Sequence, residues 1–314
     1  MTRENSNFQG DLGWLFYKGY YSFFGQDEHK KVLKEFWDAK DSSDKKRIKD
    51  AEDRLKELKE FMGKQYGKKN NLLKSYRFEV ATDDKKRELN NKQRLKFKTT
   101  YPGLLIGSGY SHETKTDGEF KLGFEFDYTT GLPIIPGSSV KGLLRSAFPV
   151  EGERYDEEKE EYIKEILESI FDRSENKVKS DAKEVDTYIL RDEIFEGVDE
   201  NRECLSIYDR DIFYDAKIVE SRYRGGGKED KGRIVGEDYI TPHGDNPLKD
   251  PTPLKFLKVL PNVIFEFEFD LKGSIVSDIK ITAKEKRELF RTIVLDLGIG
   301  AKTNVGYGYL EDVD

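Results

Sequence analysis

The sequence predicts an α+β protein built on a modified ferredoxin-like (RRM-like) sheet, with insertions and a helical extension at its N-terminus. Three observations predict it. Several short segments beyond residue 96 alternate apolar and other residues, the period of strands. Two amphipathic segments, one after the first such strand and one before the last, carry apolar residues at helical spacing. The order strand, helix, strands, helix, strand is that of the ferredoxin-like sheet.

In chain order, residues 11–24 form an aromatic cluster that needs cover from the rest of the protein. Residues 28–66 read as helix, with Ile48, Ala51, Leu55, Leu58 and Met62 on one stripe and Gly63 and Gly67 marking its end. Residues 67–96 are polar and basic, and weakly ordered by this reading. Residues 97–110 read as a strand running into Gly-Ser-Gly, and Phe120, Leu122, Phe124 and Phe126 as a second strand. A central helix follows Pro136, and another spans 151–171. Residues 205–223 are strand-like, and five of the nine prolines in 242–261 mark an irregular excursion. Residues 255–271 return to strand, with Phe265, Phe267 and Phe269 on one face. Residues 284–297 form a helix, followed by a glycine-rich loop and a final strand. The expected division is an extension over 1–96 and the sheet domain over 97–314, with insertions at about 150–204 and 224–254.

The chain has 314 residues, 36% hydrophobic and 37% charged, with a formal net charge of -7. Any nucleic-acid binding must therefore come from a local basic patch and not from the global field. The single cysteine, Cys204, excludes an internal disulfide and a multi-cysteine metal site. Met1 to Gly10 lacks an apolar signal core, and no apolar run approaches the ~20 residues of a membrane span. The expectation is a soluble cytoplasmic protein.

Two segments carry candidate binding chemistry. In Pro136-Gly-Ser-Ser-Val-Lys-Gly142, the hydroxyls of Ser138 and Ser139 are of N-cap type, and Lys141 and Arg145 share a helix face. Such a helix start suits a phosphate; it equally suits a well-capped surface helix with solvated cations. In Gly298-Ile-Gly-Ala-Lys-Thr-Asn-Val-Gly-Tyr-Gly308, Gly300 and Gly306 would leave a mobile backbone able to approach a polymer, with Lys302 and Asn304 at its tip. A tight helix-to-strand connection explains the same glycines. The loop is neither a P-loop nor a dinucleotide fingerprint. Lys141, Arg145 and Lys302 are expected to line one groove, and the basic segment 222–233, with Arg222 and Arg224, is the next candidate.

Catalytic motifs are lacking. The three histidines, His29, His112 and His243, have no metal-ligand spacing, and there is no nucleophile-elbow motif. No catalytic residue, metal or cofactor is assigned. His112, after Gly-Ser-Gly, is a candidate ligand contact.

Together these segments resemble the RAMP superfamily of CRISPR proteins. The matching pieces are Gly107-Ser-Gly-Tyr-Ser-His-Glu-Thr114, the proline-bounded segment 131–145 and the loop 298–308. Three more, Ile212-Phe-Tyr-Asp-Ala216, Asp238-Tyr-Ile-Thr-Pro-His243 and Pro253-Leu-Lys-Phe-Leu-Lys-Val259, resemble the sixth subunit of the type III-B Cmr effector complex. His243-Gly-Asp-Asn departs from the aromatic residues expected there. The resemblance implies a RAMP fold and a non-catalytic, RNA-binding subunit in antiviral defence, capping the backbone filament near the 3′ region of the CRISPR RNA. The implied partners are CRISPR RNA, target RNA, the backbone RAMP subunit, the small helical subunit and the tip RAMP subunit. Asp117 lies near the loop that holds a nuclease aspartate in the backbone subunit, and no catalytic role is assigned to it. The alternatives are a guide-processing endoribonuclease using His112, Tyr110 and Lys115, or a RAMP subunit of a type III-A complex.

Overall fold

The computed structural model describes residues 11–25, 27–78, 92–107, 116, 118–120, 122, 124–152, 154–173, 182–225, 228–241 and 253–313. Among these the helices are α1 (Leu12–Tyr17), α2 (Asp27–Lys40), α3 (Lys45–Ser75), α4 (Gly137–Ser146), α5 (Asp156–Arg173), α6 (Thr187–Arg191) and α7 (Ala283–Leu297). The strands are β1 (Gln93–Thr99), β2 (Ile134–Ile135), β3 (Ile212–Phe213), β4 (Ala216–Ser221), β5 (Arg224–Gly225), β6 (Lys228–Glu229), β7 (Val235–Ile240), β8 (Leu254–Val259), β9 (Val263–Asp270), β10 (Ser274–Val276), β11 (Ile279–Ile281) and β12 (Leu310–Asp312). The chain divides into two compact units. One comprises Met1–Phe78, Ile106–Pro133 and Gly232–Val259; the other comprises Glu79–Leu105, Ile134–Lys231 and Leu260–Asp314.

The second unit holds the main sheet, in the order β12-β1-β9-β4-β2, with β3 pairing the end of β9. Every neighbouring pair is antiparallel. Set aside the two-residue β2 and the order is fourth, first, third, second, which is the ferredoxin-like sheet. Alternation on β9 puts Phe265, Phe267 and Phe269 on one fully buried face. Phe97 meets Phe267 edge-on at 5.2 Å, and Phe290 of α7 lies 5.5 Å from Phe269. The helix that brings Phe290 there begins with a reciprocal cap: the Thr282 hydroxyl accepts from the Glu285 N–H, and the Glu285 carboxylate accepts from the Thr282 N–H. Beneath α7, Lys286 donates to Asp211 at 2.6 Å, both side chains being 1% exposed.

In the first unit the aromatic stretch folds onto α3 and onto residues 118–131. Phe16 and Tyr20 are fully buried. The Tyr20 ring stacks on Tyr66 at 5.0 Å, and its hydroxyl donates to Asn70 and accepts from the Phe120 N–H. A separate hairpin pairs β7 with β8.

Four sequence expectations change. The helix expected over 28–66 is two helices, and α3 runs on through Gly63 and Gly67 to Ser75. Burial of Tyr66, Asn70 and Leu73 outweighs the glycine penalty of about 1 kcal/mol each. Among the described residues, Phe120, Phe124 and Phe126 belong to no strand, and their rings pack among Phe16, Tyr17 and Tyr20. Residues 205–223 contribute only β3 and β4, since Ser206–Asp209 make a turn. Residues 255–271 are two strands, broken at Leu260–Asn262, and belong to different units.

Candidate nucleic-acid interface

Antiparallel order fixes which connections share one end of the main sheet. The exits of β1 and β4 and the entries of β9 and β12 all lie at the same end. Backbone hydrogen bonds lace these connections together. The Thr100 N–H and hydroxyl both donate to the Tyr309 carbonyl, at 3.1 and 2.9 Å. Gly308 N–H donates to Gly103 and Ala301 N–H to Leu105, each at 2.9 Å. Asn262 N–H donates to Thr99, and Arg222 N–H to Asn262, each at 2.7 Å.

The glycine-rich loop is therefore fixed, where the sequence suggested a mobile backbone. Gly300 and Gly308 have φ of +98° and +78°, and a Cβ on either would come within 2.4 Å of the Leu105 carbonyl or 2.0 Å of the Ile299 carbonyl. These glycines serve close backbone packing, the tight-connection reading. What the loop presents outward is Lys302, in a left-handed conformation, with Asn304 and Val305, all exposed. Beside them Tyr101 is 86% exposed and Tyr309 42%. The basic segment joins the same end. Arg222 holds Glu220 through two hydrogen bonds of 2.6 and 2.8 Å, and Arg224, on β5, is exposed. Among the described residues neither Lys302 nor Arg224 has an ion-pair partner.

The central helix lies elsewhere. It starts at Gly137, with Pro136 as N-cap and no side-chain hydrogen bond from Ser138 or Ser139 to the helix start. The cap comes from the link between β3 and β4: Asp215 accepts the Gly137 N–H at 2.7 Å. The approach is possible because residue 137 is glycine; a Cβ there would lie 2.4 Å from the Phe213 carbonyl. Ser139 and Val140 N–H groups already donate to the Pro136 carbonyl. The two serine side chains are exposed, Lys141 is partly exposed, and Arg145 pairs with Glu196 at 2.7 Å.

Strand register sets the spacing of the two motifs. Ile135 stands opposite Ala216, one step beyond the Lys217–Glu266 pair, while Leu310 stands opposite Thr99 at the level of Val263. The end of β2 and the start of β12 thus differ by about 13 Å along the strands and about 19 Å across them. The helix start and the glycine-rich loop occupy opposite edges of the sheet, which opposes the convergence expected for Lys141, Arg145 and Lys302. The structure instead brings Gly300, Lys302, Asn304 and Gly306 to the same sheet end as Arg222 and Arg224. Sequence reasoning missed Tyr101, Tyr309 and Asp215. The signals for the tyrosines were a Tyr-Pro pair at a strand exit and the Gly-Tyr-Gly-Tyr run; Asp215 left none. His112, Tyr110, Lys115, Asp117 and His243 lie outside the described residues, as does most of the proline-rich excursion.

No group of His, Cys, Asp or Glu among the described residues is placed to hold a metal ion, and no helix among them is long and apolar enough to cross a membrane.

Residues 96–311 match the sequence model of the RAMP superfamily. Covering more than half of the chain, including most of the main sheet, that match shows that the chain belongs to the RAMP superfamily. No curated protein matches it. Among solved structures, the chain is similar to one from a type III-B Cmr-beta complex bound to cognate target RNA, with 21% identity, a TM-score of 0.48, and coverage of 96% of this chain and 84% of the other. It is also similar to Cmr6 from Pyrococcus furiosus, with 22% identity, a TM-score of 0.37, and coverage of 71% and 98% respectively.

Proposed function

We propose that this chain is a non-catalytic RNA-binding subunit of a type III-B CRISPR effector complex, capping the backbone filament near the 3′ region of the CRISPR RNA. The observation that carries the RNA-binding part is the laced sheet end, where a RAMP glycine-rich loop presents unpaired Lys302 at the same end of the sheet as Arg222 and Arg224. Cations on a fixed backbone position a phosphate chain without reading its bases. A net charge of -7 over the whole chain limits loose binding. The subunit assignment rests on the sequence pieces around 212–216, 238–243 and 253–259. Its partners are CRISPR RNA, target RNA, and the backbone, small helical and tip subunits of such a complex. The non-catalytic part rests on the sequence's lack of a recognisable catalytic motif.

The test is co-purification of the chain with its neighbouring subunits, with sequencing of the retained RNA. Guide sequence enriched at its 3′ end supports the proposal; retained RNA without repeat-derived sequence counts against it. Binding of guide RNA across a salt series should give a slope that falls by about 0.7 for each of Lys302, Arg222 and Arg224 replaced by alanine. Incubating the isolated chain with repeat RNA and with target RNA tests the absence of cleavage. A product lost in His112→Ala would favour guide processing, and one lost in Asp117→Ala with chelator would favour metal-dependent cleavage.

A further inference from the structure

The outward side of the laced sheet end carries more than cations. Tyr101 is 86% exposed, and no described residue makes a ring contact with it. A large aromatic ring left in water forfeits the burial that usually justifies it. Its backbone is nevertheless held firmly. Thr100, immediately before it, is tied twice to Tyr309, and Gly103, two residues on, is tied to Gly308. Gly306 packs toward Pro102, where a Cβ would lie 3.7 Å from the proline ring. Tyr309 is itself 42% exposed.

We propose that Tyr101 is a stacking platform for unpaired nucleobases, with Tyr309, on the backbone paired to Thr100, as a second exposed ring, so that this chain takes single-stranded RNA in preference to duplex. The inference rests on the RNA-binding reading of the same sheet end and adds the form of RNA it accepts. A ring on a held backbone leaves only its own side-chain torsions to order when a base lies on it, and any base offers a face, so the contact tolerates sequence. In a duplex those faces are stacked on one another and are not available. The surrounding charge favours RNA over a protein partner. Among the described residues, Glu220 is matched by Arg222 and Glu311 by Lys98 at 2.7 Å, leaving Lys302 as a cation without an ion-pair partner. Asn304 adds an exposed amide on the same loop.

The test uses the full chain, a short single-stranded oligoribonucleotide carrying 2-aminopurine, and the same strand annealed to its complement. Wild type should bind the single strand more tightly than the duplex and quench the 2-aminopurine. Tyr101→Ala should weaken single-strand binding roughly 5- to 100-fold and abolish the quenching. It should leave the salt slope unchanged, because no charge is removed. Tyr101→Trp should retain both affinity and quenching. Lys302→Ala should behave oppositely, with a shallower slope and quenching preserved at saturation. If Tyr101→Ala and Tyr309→Ala match wild type in affinity and quenching while Lys302→Ala loses affinity, the platform is overturned and the RNA-binding reading stands. Wild type that binds neither RNA overturns both. Loss of a partner subunit, but not of RNA, in Tyr101→Ala assigns the ring to a protein contact and also overturns the platform.

Discussion

The Asp215 carboxylate accepts the backbone N–H of Gly137 at 2.7 Å, so the first turn of α4 is capped from 78 positions along the chain. The hydroxyls of Ser138 and Ser139, which stand where a local cap would be sought, take no part. Asp215→Ala should cost about 1 kcal/mol, and Asp215→Asn much less, because an amide oxygen accepts as well. Ser138→Ala should be near neutral. Urea midpoints for the three variants check the assignment, and equal losses for Asp215→Ala and Ser138→Ala would contradict it.

The glycine-rich loop should respond unevenly to substitution. Gly308→Ala forces a Cβ to within 2.0 Å of the Ile299 carbonyl as well as into a left-handed backbone. Gly306→Ala meets only Pro102, at 3.7 Å, and carries the backbone strain alone. The expected loss is about 1 kcal/mol for Gly306→Ala and well above that for Gly308→Ala. Thermal unfolding followed by circular dichroism separates the two, and equal melting temperatures would show that the close carbonyl approach is not what requires glycine.

The buried pair under α7 gives a sharper asymmetry. Asp211 accepts from Lys286 and from the Lys272 N–H, at 2.6 and 2.7 Å. Asp211→Ala leaves the Lys286 charge buried without its counter-ion and should destabilise by about 3–5 kcal/mol. Replacing both partners, Asp211→Leu with Lys286→Met, should recover most of that loss, since no buried charge is then stranded. Denaturant unfolding of the single and double variants is the measurement; a double variant as unstable as the single one would point to packing instead of charge.

Glu268 supplies a pH dependence. Burial pushes its carboxyl up, but hydrogen bonds from Lys92 and Arg94, at 2.6 and 3.0 Å, pull harder and hold it below its ordinary value of 4.5. On acidification the unfolded chain takes up this proton first. The stabilisation is thus fully present above that ordinary value and is lost as pH falls through the folded one. Glu268→Gln should lower stability at neutral pH and flatten the decline on the acid side. Unfolding curves at neutral and acid pH test this, and parallel pH profiles for wild type and variant would exclude the contribution.

The sheet and its last helix were legible because their signals are local. Phe265, Phe267 and Phe269 alternate over regular backbone, and Phe290, Ile293 and Val294 repeat at helical spacing; each lands fully buried. The same alternation misled at Phe120 to Phe126, because rings buried by an aromatic cluster need no ladder to alternate. The extent of α3 was hidden by two glycines whose cost is met by side chains of Tyr66 and Leu73 packed far from any local pattern. The candidate interface was half legible. Glycines and Lys302 stood out by composition, whereas the exposure of Tyr101 depends on the pairing of residues 100–105 with 299–309, and the Asp215 cap on the path of β4. Those are long-range facts that spacing along the chain does not encode.

The main sheet ends on one side with two residues of β2, held between Pro133 and Pro136, and on the other with three residues of β12, where Glu311 and Asp312 follow Leu310. Short strands bounded by proline or charge offer few positions on which another chain could continue the hydrogen bonding of β2 or β12 themselves. Strand addition at β2 or β12 would find only two or three residues to pair with. A chain that met these two strands would hold mainly to side chains and loops, whose specificity, unlike that of a backbone ladder, is written residue by residue.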